Sequence, residues 1–534
     1  MDEKKRSCSD WCVQLMDWDM NVCIFVLVFI FPLIFNDAYY DIPEVKYQCY
    51  YLSILVSLGI IAILAVILML ADKKETDGRR IRGFFNSLRP CNWRKTLRKA
   101  DIAILIFWLA VVISTFQSDY FYESVWGNEG RYSGLFLLSV YVVAYFMISR
   151  LWHFKSWSMQ IFLISGMIMC LIGIGDYFQL DLLRLRNGFK PVKSEIFTST
   201  IGNINIYTAY VALLMGFATA MFVQEKNKLK KIWYYVCMLV SFFAIIMGCS
   251  DNAYLALTAL FALLPFVLFQ NLNGVKNYLI VAASFLSAIQ CIVWLNIRYA
   301  DMVIGLDSLF KVIASFAGLP VLIGILWIVA GFCWIVEKKN AFHYQSVSRA
   351  FLYAWCALLA IGFFGVCFAL VDANVLGHAE RYQSLGNYLI FNDSWGTERG
   401  YIWKKSMELY KKFPLIRKLF GYGPETFGIL TITTIQEDMV AKTGVIYDNA
   451  HNEYLQYLVT LGAVGLVTYL IFLFSVFRNM YKKRNISPYL LGFLGAVACY
   501  SAQALVNLNL PMVAPTMWMM LSMGMSVCFD DKET

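Results

Sequence analysis

Charge and histidine are both scarce in this chain of 534 residues. Asp, Glu, Lys and Arg make up 15% of it, and histidine occurs only at His153, His343, His378 and His451. Apolar residues reach 60% and aromatics 16%, which excludes an ordinary soluble domain, where about a quarter of residues carry charge. Charges are missing above all from the middles of the apolar runs, and only Asp176, near the end of its run, comes close to breaking that rule. A transporter or flippase normally keeps ionisable residues at mid-membrane and often has repeated halves; this sequence has neither. The fourteen cysteines lie mostly inside the runs, none falls in the long polar stretch 372–453, and Cys8 with Cys12 has no second pair. Neither a disulfide scaffold nor a zinc cluster is therefore expected.

What the sequence does have is apolar runs, about 14 of them, each about 15 to 24 residues long, enough to cross a bilayer. Backbone groups in hydrocarbon must bond within their own segment, so the expected class is all-α: a polytopic transmembrane helical bundle with one large extracytoplasmic loop. The spans fall near 20–35, 51–70, 102–116, 132–149, 159–178, 201–223, 232–249, 253–271, 278–296, 313–336, 350–371, 454–477, 487–505 and 512–529. This divides the chain into eleven spans in 1–371, the loop 372–453, and three spans with a cytoplasmic tail in 454–534. The first run follows Lys4, Lys5 and Arg6 but precedes no small-residue cleavage site, so it reads as a retained span. Lys and Arg concentrate in the loops that are inside when the N-terminus is cytoplasmic; the even span count then returns the C-terminus to the cytoplasm. The net charge of +9 thus reads as a topology signal and not a nucleic-acid surface. Its main block, Ala71 to Asp101, is an anchor on anionic lipid headgroups.

The connection from Asp372 to Glu453 is far longer than any other, and long loops in compact proteins are usually functional or disordered. Within it, Gly400 to Lys412 sets Ile402, Ser406, Leu409, Tyr410 and Phe413 on one helical face and Lys404, Lys405, Glu408, Lys411 and Lys412 on the other. The expected element is a short amphipathic helix over the membrane's outer surface, capped by Thr397 or Asp393 and ended by Pro414. GYGPETF, Gly421 to Phe427, reads as a simple turn; it lacks the spacing of a phosphate-binding glycine loop.

Polar residues gather at the same face. Arg131 precedes the fourth span, Gly202, Asn203 and Asn205 open the sixth, and Asp251 with Asn252 forms the turn between the seventh and eighth. Arg399 lies in the loop, and His451, Asn452 and Glu453 stand where the chain re-enters the membrane, with Asn449 or Asp448 as cap of the twelfth span. Taken singly, each of these is an ordinary cap or interfacial anchor. Their common depth points to one water-accessible cleft.

Several motifs in order carry a resemblance: GRYSGL at Gly130, GNIN at Gly202, ERGYIW at Glu398 to Trp403, FGYGPETFG from Phe420 and HNEYLQYLVTLGAVGLVTYL from His451. Together they resemble the O-antigen ligase and polymerase superfamily of bacterial membranes, over most of the chain from about Gly127 to about Leu470. The resemblance implies a multi-pass glycosyltransferase of the bacterial cytoplasmic membrane that needs no cofactor. Its donor would be a polyprenyl diphosphate-linked glycan and its acceptor a hydroxyl on a glycan, a lipid or a protein, with membrane lipids and other glycan-assembly proteins as partners. It also implies that Arg399 and His451 are the catalytic pair. Where many members carry an arginine in a Ser-Arg-Gly type turn, this chain reads Ser250, Asp251, Asn252. Either Arg131 or Arg298 replaces the missing cation, or the site differs.

The chemistry asks for positive charge where a lipid diphosphate leaves. The long loop has no Asp-x-Asp pair to hold a metal, whereas an arginine can grip phosphate oxygens with two charge-assisted hydrogen bonds. Asp17 to Asp19 (DWD) resembles a metal pair in letters only and lies at the cytoplasmic edge. His451 can accept the acceptor's proton or hydrogen-bond the leaving phosphate. Arg131, Asn203, Asn205, Asp251, Asn452 and Glu453 are the expected substrate contacts, and a single displacement would invert the sugar carbon. The alternatives are a lipid-linked glycan flippase or transporter, a protein O-oligosaccharyltransferase, or a different membrane glycosyltransferase using Asp37, Asp41 and Glu44 of the first outer loop.

Overall fold

The computed structural model describes residues 7–75, 77–79, 81, 82, 86, 97–186, 188, 196–306, 308–338 and 345–529. Lys4, Lys5, Arg6, His343 and about half of the basic block 71–101 lie outside them, as do the side chains of Thr397 and Glu398. The chain is an all-α bundle, with one two-residue antiparallel strand pair, β1 (Phe197–Thr198) and β2 (Gly202–Asn203). Each of the first eleven expected spans coincides with a helix: α1 Cys8–Leu33, α2 Ile42–Glu75, α3 Lys99–Phe116, α4 Leu135–Leu151, α5 Trp157–Tyr177, α6 Ile204–Gln224, α7 Lys228–Met247, α8 Asn252–Leu268, α9 Leu272–Arg298, α10 Leu319–Lys338 and α11 Gln345–Asn374. After the loop come α15 Glu453–Thr460, α16 Gly462–Lys483, α17 Pro488–Gln503 and α18 Ala514–Cys528. Eleven of the helices are long and apolar enough to cross a bilayer, and α4 and α8 are shorter apolar helices.

Burial separates the centre from the rim. The apolar window of α6 is 100% buried, while that of α11 is 0% buried and that of α10 17%. Helix α6 is the axis of the bundle because small residues let its neighbour close in: a Cβ built on Gly216 would sit 2.4 Å from the Gly495 carbonyl oxygen of α17. Caps fix the helix starts. Asn203 accepts from the Asn205 N–H to open α6, and Asn227 accepts from Leu229 and Lys230 to open α7. Asp176, the one charge near a run, accepts from the Ser199 N–H (2.6 Å) and Thr198 Oγ1 (3.3 Å), tying α5 to the strand pair. Asp17 and Asp19 are likewise engaged, by Lys155 and Ser57.

Three sequence expectations need correction. The twelfth span is not one helix: α15 ends at Thr460, Gly462 takes φ +73, and α16 begins there. Its cap is Asn452, whose side chain accepts from Leu455 N–H (3.0 Å), and not Asn449 or Asp448. His451 therefore stands two residues ahead of the helix rather than in its first turn, in a left-handed conformation.

The loop is a folded cap. Helix α12 (Trp395–Lys412) begins five residues before the expected start, with Ser394 in place of Asp393 at its cap; α13 (Leu415–Phe420) and α14 (Phe427–Thr443) follow. The buried face of α12, Tyr401, Ile402 and Ser406, has the predicted register, but protein covers it: Phe427, Leu430 and Met439 of α14 with Ala450 and Val459. Its polar face is outward, with Lys405 ion-paired to Asp438 (3.1 Å) and Lys404 to Asp393 (3.7 Å). GYGPETF is more than a turn. Gly421 presses on the α15–α16 break, where an added Cβ would meet Thr460 O at 2.1 Å, and Gly423 N–H donates to that same carbonyl. Gly462 presses back, 2.3 Å from Leu419 O by the same measure.

Candidate functional site

Under the cap, four segments meet: the loop before α4, GYGPETF, the stretch from α14 to α15, and the one before α18. They line a small cavity of about 30 Å³, bordered by Arg131, Glu425, Asn449, Asn452, Glu453 and Asn509 among others. The backbone is strained around it: Tyr132, Glu425 and His451 take φ of +55, +59 and +47. Side chains with a Cβ rarely adopt such angles, at a cost of about 1–3 kcal/mol each, and they collect where a fold positions groups for chemistry.

Arg131 holds Asp448 with two prongs, Nε to Oδ2 (2.9 Å) and Nη2 to Oδ1 (2.5 Å). Asn449 donates to Asp448 Oδ1 and accepts from the His451 N–H (2.8 Å), which fixes the turn that presents the imidazole. Trp403 Nε1 donates to the Ala450 carbonyl and Ala450 N–H to Gln456 Oε1, so α12 and α15 clamp the same turn. Tyr447 meets the His451 ring edge-to-face at 5.7 Å. Arg399, on the first half of α12, is 8% exposed. Burial pulls its guanidinium below the usual arginine range, against Asp251 and Tyr447, which favour the cation; arginine stays protonated regardless.

Arg399 lies near enough to His451 to act on it. Burial first, then Arg399 and Arg131, bring the imidazole down to about 4, with Asp448 pulling the other way. At neutral pH the ring is uncharged. The carboxyl of Glu425 moves oppositely: burial pushes it up to about 7, Arg131 opposes, and Asp448 adds to the rise.

The remaining predicted contacts divide. Asp251 faces Arg399 and accepts from the Tyr388 hydroxyl (3.3 Å). Asn203 and Asn452 are helix caps whose oxygens are already used. Glu453, 1% exposed, accepts from Tyr469 (2.8 Å), Asn509 (3.0 Å) and Tyr500 (3.4 Å) in the cavity floor. Asn205 belongs to a buried network below: Ser250 Oγ reaches Asn205 Oδ1 (2.5 Å), and Asn252 and Asn507 donate to the Asn205 carbonyl. Gln503 Oε1 accepts from both asparagines, and Thr208 donates to Asn252. Of the two candidate replacement arginines, Arg131 is the one His451 feels; Arg298 lies over the Tyr299 ring at the end of α9. Among the described residues no three His, Cys, Asp or Glu side chains gather as a metal-holding group.

The region from 308 to 470 matches the family model described as O-antigen ligase. That stretch is similar to the O-antigen ligase family over under a third of the chain. The match takes in the whole cap with Arg399, Glu425, Asp448, His451 and Glu453, while Arg131, Asn203, Asn205 and Asp251 come from the chain before it and Asn509 from the chain after it. No curated protein matches. The O-antigen ligase match supports a ligase- or polymerase-type membrane enzyme. Glu425, Asn509 and Gln503 were not anticipated from sequence. GYGPETF carried a signal for the first, since a glutamate inside a glycine-rich turn is unusual; nothing local marked the other two.

Proposed function

We propose that this protein transfers a glycan from a polyprenyl diphosphate carrier to an acceptor hydroxyl, without a metal, by a single inverting displacement at the extracytoplasmic face of the bacterial cytoplasmic membrane. One observation supports the reading: beneath a folded cap, a buried arginine and a second arginine both act on an uncharged histidine, and the second arginine borders a small cavity. Arg399 is suited to the leaving diphosphate, because a guanidinium fork in a water-poor site stabilises charge that grows in the transition state. Arg131 replaces the cation missing at Asp251. It is tied to Asp448, so it gives positive potential from a fixed position. His451, uncharged, can donate one hydrogen bond and accept another, aligning the acceptor hydroxyl or a phosphate oxygen.

The test is a purified full-length protein in lipid nanodiscs, given a polyprenyl diphosphate bearing a short fluorescent glycan. Acceptors are a second lipid-linked glycan and a free oligosaccharide. Glycan-bearing product with an inverted anomeric carbon, formed in the presence of EDTA, is expected. A product that forms only when divalent metal is returned would overturn the arginine-based chemistry.

A further inference from the structure

We propose that Glu425 takes the proton from the attacking hydroxyl, with His451 aligning that hydroxyl rather than deprotonating it. The inference rests on the transfer reaction proposed above.

Geometry leads. Glu425 lines the cavity, yet its carboxylate takes no hydrogen bond or ion pair from any described residue. The other acids nearby are committed: Asp448 to Arg131, and Glu453 to Tyr469, Tyr500 and Asn509. The turn works to hold Glu425 where it is. Its backbone is left-handed, its carbonyl accepts from Asn128 Nδ2 (2.7 Å), and Gly423 two residues earlier is wedged against Ser118 and Ser124. A glycine would adopt that backbone without strain; a glutamate there is retained at a cost.

The surrounding charges suit the role. Arg131 and Asp448 face the carboxyl from the loops before α4 and after α14, and the Tyr457 hydroxyl faces it from α15. Burial and Asp448 outweigh Arg131 and leave the carboxyl titrating at about 7, which is where a proton acceptor works best at neutral pH. His451, at about 4, is a far weaker base. In the step, the acceptor O–H bond breaks and its proton goes to a Glu425 oxygen. The acceptor oxygen bonds to the sugar's anomeric carbon, and the bond from that carbon to the diphosphate breaks with its electron pair leaving on phosphate. Glu425 is only partly buried and borders the cavity, so the proton then passes to water.

The test follows single-turnover transfer against pH in nanodiscs with the same fluorescent lipid-linked glycan. Wild type is expected to lose rate below about pH 7. Glu425→Gln is expected to fall about 100- to 10,000-fold and to lose that acid limb, with donor-induced rise in Tm unchanged. Glu425→Ala is expected to regain rate with added formate, which restores a carboxylate but not a fold. If Glu425→Gln keeps the wild-type rate and limb, or if formate fails to restore Glu425→Ala while its donor response is intact, the proposal is overturned and the transfer reading stands. If wild type itself transfers nothing, the transfer reading fails first and this proposal with it.

Discussion

Two polar clusters lie one above the other in this bundle, and they differ in what their groups still have to offer. The lower one, Asn205, Asn252, Ser250, Thr208, Gln503 and Asn507, is buried and mostly self-satisfied: amide donors meet amide or backbone acceptors, and the chief remainder is Gln503 Nε2. The upper one combines strained backbone, two guanidiniums and an uncharged imidazole with a small cavity, bordered by Arg131 and by Glu425, whose carboxylate has no partner among the described residues. Both arise from similar residue types near the same face. A network that closes on itself fixes helices, whereas one left open toward a cavity is available for a substrate.

Breaking each cluster sharpens the contrast. His451→Ala is expected to lower transfer about 100-fold while thermal unfolding in detergent stays near wild type; product at the wild-type level would place His451 with the structural cluster. Arg399→Lys keeps the charge but loses the two-pronged geometry. A fall of about 100- to 1,000-fold in single-turnover rate is expected, and full activity would remove Arg399 from the leaving group. Asn252→Ala should do the opposite, lowering stability by about 1–3 kcal/mol for each buried partner left unsatisfied, with the pH profile of transfer unmoved. A shifted profile there would mean that the two clusters are coupled.

Stability against pH gives a finer separation. His451 titrates below its ordinary value, so the unfolded chain binds the extra proton and stability drops as pH falls from about 6.5 toward about 4. Glu425 titrates above its ordinary value, so the folded chain binds the extra proton and stability drops as pH rises from about 4.5 toward about 7. The two slopes oppose each other between about 4.5 and 6.5. His451→Ala should therefore leave a melt that weakens with rising pH over that window, read by Tm in a buffer series. Asp448→Asn is the mildest change. Asp448 raises Glu425 and sits at a partly exposed ion pair, so the acid limb should move to lower pH with about 1 kcal/mol or less lost in stability.

The helices were legible because lipid imposes length and apolar content on each one, and every expected run but the twelfth coincides with a single helix. Less was legible where glycine sets the path. The Leu461–Gly462 break sits inside a run as apolar as its neighbours, and only the left-handed turn at Gly462 divides it. The amphipathic pattern of α12 gave the right faces but not what covers them, since α14 has a weaker pattern and lies downstream. Arg399 and His451 were legible through their motif context. Glu425 was marked only by its place in GYGPETF, because the contacts that hold that turn, Asn128 to the Glu425 carbonyl and Ser118 and Ser124 against Gly423, come from about 300 residues away in the chain.

The mutual wedge of Gly421 and Gly462 also limits how the cap can move. A flap hinged there would have to lift one backbone off another and break the Gly423 to Thr460 and Gln117 to Gly421 hydrogen bonds together. That corner is a rivet rather than a hinge. Any large substrate would then have to enter elsewhere, and crosslinking the riveted corner shut should leave turnover untouched.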